Sequence, residues 1–215
     1  MTIAAIIFDF GYVLSLPPQP DDFRDLQRAG EIDSESFERL YWLYRDEYDV
    51  GALDGPGYWR RIAEGAGQQL SREQIDDLIS GDIALWNRTN PTLIEWVRAL
   101  KKVGLKTAVL SNMSSDLAAY MRREAAWTEP FDHLCFSGEL RLAKPDPAIY
   151  HACLAGLQAR PEEAILIDDR AENVEAARAL GMQALIFQSL HQLAIDIRPL
   201  NLPAPLLAGP SGVSE

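Results

Sequence analysis

The chain has 215 residues, 47% of them apolar and 24% charged, enough for one α/β domain with a modest accessory domain. Its 32 acids against 20 bases give a net charge of −12, which excludes the basic footprint that nucleic acid demands and disfavours an anionic membrane surface. Cys135 and Cys153 are too few for a disulfide framework and lack metal-ligand spacing, and no apolar run approaches the roughly 18 residues of a membrane span.

Residues 3–8 form a continuous apolar, β-branched run ending at Asp9, as expected of a strand buried on both faces of a parallel sheet. The apolar start lacks a charged region and is cut short by that acid, so the expectation is a cytoplasmic protein. Pro17, Pro18 and Pro20 mark an outgoing linker. Residues 20–88 hold no convincing strand and read as helices over 21–29, 34–50, 56–66 and 71–86. Their aromatics (Tyr41, Trp42, Tyr44, Tyr48, Tyr58, Trp59, Trp86) predict a core for this segment, with one or two facing a substrate.

Residues 89–91 mark the return, where Asn90 caps a helix with Pro91 at its first position and Leu93, Trp96, Val97 and Leu100 at helical spacing. Gly104 closes it. Strands are predicted at 105–110 before Ser111, at 133–136, at 164–167 before Asp168, and at 183–187. Between them, Asp146 and Pro147 open a helix with Ile149, Tyr150, Cys153 and Leu154 inward, and another carries Val174, Ala177 and Leu180 and ends at Gly181. The two cysteines read as small buried hydrophobes.

The pattern predicts an α/β fold: a doubly wound, Rossmann-like parallel sheet over 1–16 and 89–198, with an all-helical cap inserted over 17–88. Residues 199–215, rich in Pro, Leu and Ala without a period, read as a loosely attached tail.

Ligands of an open parallel sheet bind beyond the carboxyl ends of its strands. Asp9, Ser111, Asp168 and Asp169 all follow strands, and Lys144 precedes a helix starting near the same edge. Three carboxylates and one ammonium leave an excess of two negative charges, which one hard divalent cation neutralises. Such an ion could hold a phosphoryl oxygen against a carboxylate nucleophile, so the charge pattern predicts phosphoryl chemistry.

The sequence Phe8-Asp9-Phe10-Gly11-Tyr12-Val13-Leu14 resembles the first motif of the haloacid dehalogenase-like superfamily. Leu110-Ser111-Asn112 resembles the second, Lys144-Pro145-Asp146-Pro147 the third, and Ile167-Asp168-Asp169-Arg170-Ala171-Glu172-Asn173 the fourth. All four occur in the family's order. The resemblance implies Asp9 as nucleophile and Mg²⁺ ligand, Gly11 as a ligand through its carbonyl, and Asp169 as a direct ligand. Asp168 would act directly or through a metal-bound water. The resemblance further implies that Ser111 and the Asn112 amide cradle phosphate at a helix N-terminus and that Lys144 stabilises the phosphoryl oxygens. Asn173 would orient the metal-bound acids.

Most phosphatases of the family carry a second aspartate where this chain has Gly11. The pattern Asp-x-Gly-x-Val is similar to a subgroup that includes bacterial sugar-phosphate phosphatases acting on glucose 1-phosphate. The expected function is a Mg²⁺-dependent phosphohydrolase of a small phosphorylated metabolite, as monomer or homodimer, through an aspartyl-phosphate on Asp9. Two alternatives stay open: a 2-haloacid dehalogenase, which needs no metal, and a non-catalytic phospholigand-binding or scaffolding protein. Tyr12 as a substitute acid is countered by its ordinary pKa of about 10. His133, His151 and His191 read as structural, and Arg60, Arg61 and Arg88 as solvated surface rather than contacts to a second anionic group.

Overall fold

Ala5–Phe8 forms β1, and Phe10–Leu14 follows as one wide turn closed by Ser15 N donating to Phe10 O at 2.7 Å, with Gly11 and Tyr12 outside helical angles. Five helices come next: α1 Pro20–Ala29, α2 Ser34–Leu43, α3 Arg45–Asp49, α4 Gly55–Gly65 and α5 Arg72–Trp86. The chain then alternates: α6 Pro91–Lys102, β2 Lys106–Ser111, α7 Ser115–Glu124, β3 His133–Phe136, α8 Ser137–Leu140, α9 Pro147–Leu157, β4 Ala164–Asp168, α10 Ala171–Ala179, β5 Gln183–Ile186 and α11 Leu190–Asp196. The computed structural model describes residues 2–203.

The five strands pair in parallel, in the order β3-β2-β1-β4-β5, so β1 is central. Alternation sorts its side chains. Ile6 and Phe8 join the apolar layer containing α6, α7 and α11, while Ala5 and Ile7 join the layer containing α9 and α10. Helices on both faces explain the unbroken apolar run at β1 and make the sheet doubly wound, as the sequence predicts. Phe8 meets Trp96 of α6 edge-to-face at 5.7 Å, which ties that helix to the central strand.

The helical insertion leaves and rejoins the sheet at one place. Leu16 N donates to Arg88 O and Asn90 N to Leu14 O, at 2.7 and 2.8 Å, with Ser15 and Thr89 bridged antiparallel. Its own apolar centre contains Tyr41, Tyr48, Tyr58, Trp59 and Leu78, all buried. The helix expected over 34–50 breaks at Tyr44, whose φ of −104° and ψ of 3° leave the helical region. No Gly or Pro marks the break, so periodicity alone reads straight through it.

The insertion shares an apolar core with the sheet domain and also meets it through polar contacts. Tyr48 Oη donates to Asp116 Oδ2 at 3.0 Å, Asn87 Nδ2 to Tyr120 Oη at 2.7 Å, and Ser137 Oγ to Asp49 O. Gly51, just beyond α3, sits at φ +73°, and a Cβ there would lie 2.6 Å from Gly138 O. At the other end, residues 199–203 are not a loose tail: Leu200 and Leu202 pack on the core, as their apolar side chains favour. The rest of the expected tail lies outside the described residues.

Candidate active site

Registration brings the polar strand ends together. Phe8 lies opposite Val109 of β2 and Ile167 of β4, so Asp9 emerges beside Asp168, with Ser111 one step further along its own strand. Asp9 N donates to Ile167 O at 2.9 Å, which fixes the residue against β4.

Lys144 enters from the loop after α8 and is itself clamped. Asn112 Nδ2 donates to Lys144 O at 2.9 Å, and Lys144 N donates to Asn112 Oδ1 at 2.8 Å. Its Nζ lies 2.8 Å from Asp9 Oδ1 and 2.6 Å from Asp168 Oδ2. Asp9, Lys144 and Asp168 are all buried. Burial disfavours the Lys144 ammonium, but Asp9 and Asp168 outweigh it and raise its pKa.

Asp9 Oδ1 also accepts from Phe10 N at 2.7 Å, so two donors hold that oxygen. Burial pushes the Asp9 carboxyl up to about 7; Lys144 opposes this, while Asp168 adds to it. Asp168 Oδ1 accepts from Arg170 N and from Asn173 Nδ2, both at 2.9 Å. Asn173 is thus brought to the acid the sequence associates it with. Half-buried Asp169, raised by burial and then by Asp168, has no ion-pair partner among the described residues. One oxygen from each of Asp9, Asp168 and Asp169 falls within 4.8 Å of the others, a donor set suited to a hard divalent cation.

Asp9, Lys144 and Asp169 line a cavity of about 540 Å³ together with Gly11, Tyr12, Ser111 and Asn112, while fully buried Asp168 lies behind them. The Ser111 hydroxyl, although buried, makes only a long 3.5 Å hydrogen bond, to Asn112 O. One expectation needs correcting. Ser111 ends β2 and Asn112 lies in the following loop, whereas α7 starts at Ser115, capped by Ser114 Oγ, which accepts from Leu117 N at 3.3 Å. The later serine is the better placed cap, so the pair is not at a helix N-terminus.

Tyr12 sits at φ +57°, 43% exposed, edge-to-face with Trp86 at 5.6 Å. Burial and then Asp169 push its phenol above the ordinary value, making it a poorer acid still. None of His133, His151, His191, Arg60, Arg61 and Arg88 lines the cavity; Arg61 pairs with Glu47 and Arg88 with Asp22. Cys135 and Cys153 are buried, as expected.

Motif reading misses the far wall of the cavity. Trp42, Arg45, Asp46, Asp49, Val50 and Trp86 of the insertion face the acids across it. Arg45 Nε donates to Asp49 Oδ1 at 2.9 Å, and its Nη1 to Tyr41 Oη at 2.6 Å and to Asp82 Oδ1 and Oδ2 at 3.1 and 3.2 Å. Tyr41 Oη donates to Asp82 Oδ1 at 2.5 Å and accepts from Trp86 Nε1 at 3.0 Å. The Arg45 guanidinium also lies over the rings of Tyr41, Tyr48 and Trp86, at 5.3, 5.6 and 5.6 Å. A signal existed for Tyr41, Arg45 and Tyr48, which recur at helical spacing, but nothing local reveals Asp82 as the partner.

A family model described as a haloacid dehalogenase-like hydrolase matches residues 3–181. Mouse bifunctional epoxide hydrolase 2 is 25% identical over 246 residues, covering all of this chain and 43% of the mouse protein. The rat and pig proteins of that name are covered to 30%, so the chain spans less than half the length of these curated relatives. Phosphatase MT3486 of Mycobacterium tuberculosis is 27% identical over 190 residues, covering 86% of this chain and 88% of that protein.

Among solved structures, a HAD family enzyme of Bacteroides thetaiotaomicron, in complex with magnesium and inorganic phosphate, superposes with a TM-score of 0.69. It is 20% identical and covers 86% of this chain and 94% of that one. L-2-haloacid dehalogenase of Xanthobacter autotrophicus gives 0.66 at 20% identity, covering 96% and 86%. At such identities these two likenesses speak for the fold.

Proposed function

Because the chain belongs to the haloacid dehalogenase-like hydrolases, we propose that it is a Mg²⁺-dependent phosphatase of small phosphate monoesters, with Asp9 as the nucleophile. The observation that carries this reading is the cluster itself: three carboxylates within 4.8 Å around one buried lysine, two negative charges in excess. A dianionic ester approaches such a site only if a cation accompanies it.

Asp9 and Asp169 fit that cation best as direct ligands, since Asp168 is already engaged by Lys144, Arg170 and Asn173. The Gly11 carbonyl would complete the protein's contribution. When bound, Mg²⁺ supplies charge neutralisation and lowers the Asp9 pKa, and it orients the phosphoryl group. The magnesium and phosphate in the Bacteroides relative support this choice of ion.

Lys144 and the Phe10 amide hold Asp9 Oδ1 and so orient the carboxylate, one oxygen of which attacks phosphorus while the other would face the cation. The bond to the leaving oxygen breaks, and that oxygen takes a proton from water, because residue 11 has no acid to offer. Ser111 Oγ and the Asn112 amide would hold the phosphoryl oxygens while Lys144 balances their charge. Water then attacks the aspartyl-phosphate at phosphorus and restores Asp9. The five helices of the insertion would act as the cap over this chemistry, and Gly11 supports membership of the sugar-phosphate subgroup, where the leaving group is an undemanding anomeric oxygen.

Gly11 and the likeness to a dehalogenase favour a second reading, attack of Asp9 on the halogen-bearing carbon of a 2-haloacid. The surplus acids and the fully engaged Arg45 weigh against it, since the substrate's carboxylate would find no free cation there. In the deciding experiment, p-nitrophenyl phosphate is hydrolysed with Mg²⁺, not with excess chelator, and not by Asp9→Asn. Halide release from 2-chloropropionate in chelator, without phosphatase activity, would establish the second reading instead.

A further inference from the structure

The cavity wall opposite Asp9 bears a charge pattern that the catalytic cluster does not require. Arg45 is the sole cation the insertion contributes to that wall. It is buried and answered twice, by Asp49 at 2.9 Å and by Asp82 at 3.1 Å, and three rings sandwich it. Burial works against its charge, but Asp49 and Asp82 prevail and raise its pKa. Arg45 with those two acids sums to −1. Exposed Asp46, also lining the cavity, makes the wall −2.

The remaining lining on that side is aromatic. Trp42, 46% exposed, meets Trp86 edge-to-face at 6.4 Å, and Trp86 meets Tyr12 in the same way at 5.6 Å. Aromatic faces beside carboxylates take an apolar surface, a ring hydroxyl or a cation, and they repel an anion. On the sheet-domain side the Arg170 charge is answered by Glu172, in contact with it. Lys144 is held by Asp9 and Asp168 and, in the proposed reaction, serves the transferred phosphoryl group, so it leaves no charge for a second anion.

We propose that this wall excludes a second negative charge from the leaving group, so that the substrates are phosphate monoesters of uncharged or cationic alcohols with an apolar face. The inference rests on the phosphatase reading of the same cavity. It names what that reading leaves open, the chemical class of the group released.

The experiment compares kcat/KM for three esters of one shape, with Mg²⁺ and the full chain. They are phosphocholine, its isostere with carbon in place of nitrogen, and the phosphate ester of a hydroxyalkanoate of the same length. The carboxylate ester should fall below the carbon isostere by about tenfold or more, the scale of like-charge repulsion across a partly desolvated site, and phosphocholine should equal or exceed it. A carboxylate ester within about threefold of the isostere, or phosphocholine more than about threefold below it, overturns the inference.

Asp46→Lys separates charge from shape. Position 46 is exposed, so the variant folds, and the carboxylate-to-isostere ratio should rise about tenfold. An unchanged ratio would mean exclusion by shape and would overturn the inference. Hydrolysis of p-nitrophenyl phosphate keeps the two claims apart. Its absence defeats the phosphatase reading and the inference with it, whereas its presence with indifferent selectivity defeats the inference alone.

Discussion

Position 11 is where a single residue decides most. Its backbone, at φ −58° and ψ 127°, is open to any amino acid, and a Cβ there would meet nothing within 4 Å. Neither conformation nor space requires glycine. Gly11→Asp is therefore expected to fold and to gain more kcat on alkyl phosphates, whose leaving oxygens are basic, than on p-nitrophenyl phosphate. The gain should stay below the roughly 10²–10⁴-fold of general acid–base help, since the site is not shaped around the new group. Comparing kcat on the two ester types checks this, and losses on both would mean that the carboxylate competes for the cation. Asn112 behaves differently: its side chain only clamps the Lys144 backbone. Asn112→Ala should lower kcat about 10–100-fold with little change in KM, the scale seen when a supporting partner of a reactive group is lost. Asn112→Asp, which can accept from Lys144 N but cannot donate to Lys144 O, should recover part of it in the same steady-state assay. The acids and Lys144 are legible in the sequence because each stands beside a strand end or a helix start. The Asn112 clamp joins residues 32 apart and leaves no local trace.

Elements divide in the same way. Strand ends and most helices follow from apolar runs, Asn90 and Asp146 caps, and closing glycines, and their bounds agree with the structure to within a residue or two. The break at Tyr44 does not follow, because α3 beyond it is placed by tertiary contacts, with α4 and α8 and through Arg45 with Asp82 of α5, rather than by local propensity. Asp82 of α5 carries the pairing with α3, buried against Arg45 and Tyr41. Asp82→Ala should cost about 3–5 kcal/mol, because it strips a buried guanidinium of one of its two carboxylates. Arg72→Ala breaks a 3.9 Å pair with Asp76 whose side chains are 94% and 65% exposed. It should shift stability by no more than about 0.5 kcal/mol. Urea unfolding of the two variants against the parent measures the contrast.

At the scale of the whole molecule, function follows from strand order. With β1 at the centre of β3-β2-β1-β4-β5, the candidate nucleophile is flanked by the ends of β2 and β4. That much is readable from the motifs in their order. How the insertion seats itself is not, because its seat combines scattered hydrogen bonds, apolar contacts within one continuous core and a close approach between two glycines. Among the hydrogen bonds of that seat are Tyr48–Asp116, Asn87–Tyr120 and Ser137–Asp49, and because Tyr48 and Ser137 are buried, breaking their bonds leaves polar groups unpaired.

The approach of Gly51 to Gly138 is of another kind, since backbone cannot yield as a side chain does. Gly51→Ala would place a methyl 2.6 Å from a carbonyl oxygen at a residue already in the left-handed region. Its melting temperature should drop and its KM for p-nitrophenyl phosphate rise more than its kcat falls, as calorimetry and steady-state kinetics would register. Gly51 ends the segment that bears Arg45, Asp46 and Asp49, so any bulk there acts as a wedge under the roof of the chamber. The headroom over Asp9 is set by a side chain that Gly51 does not have.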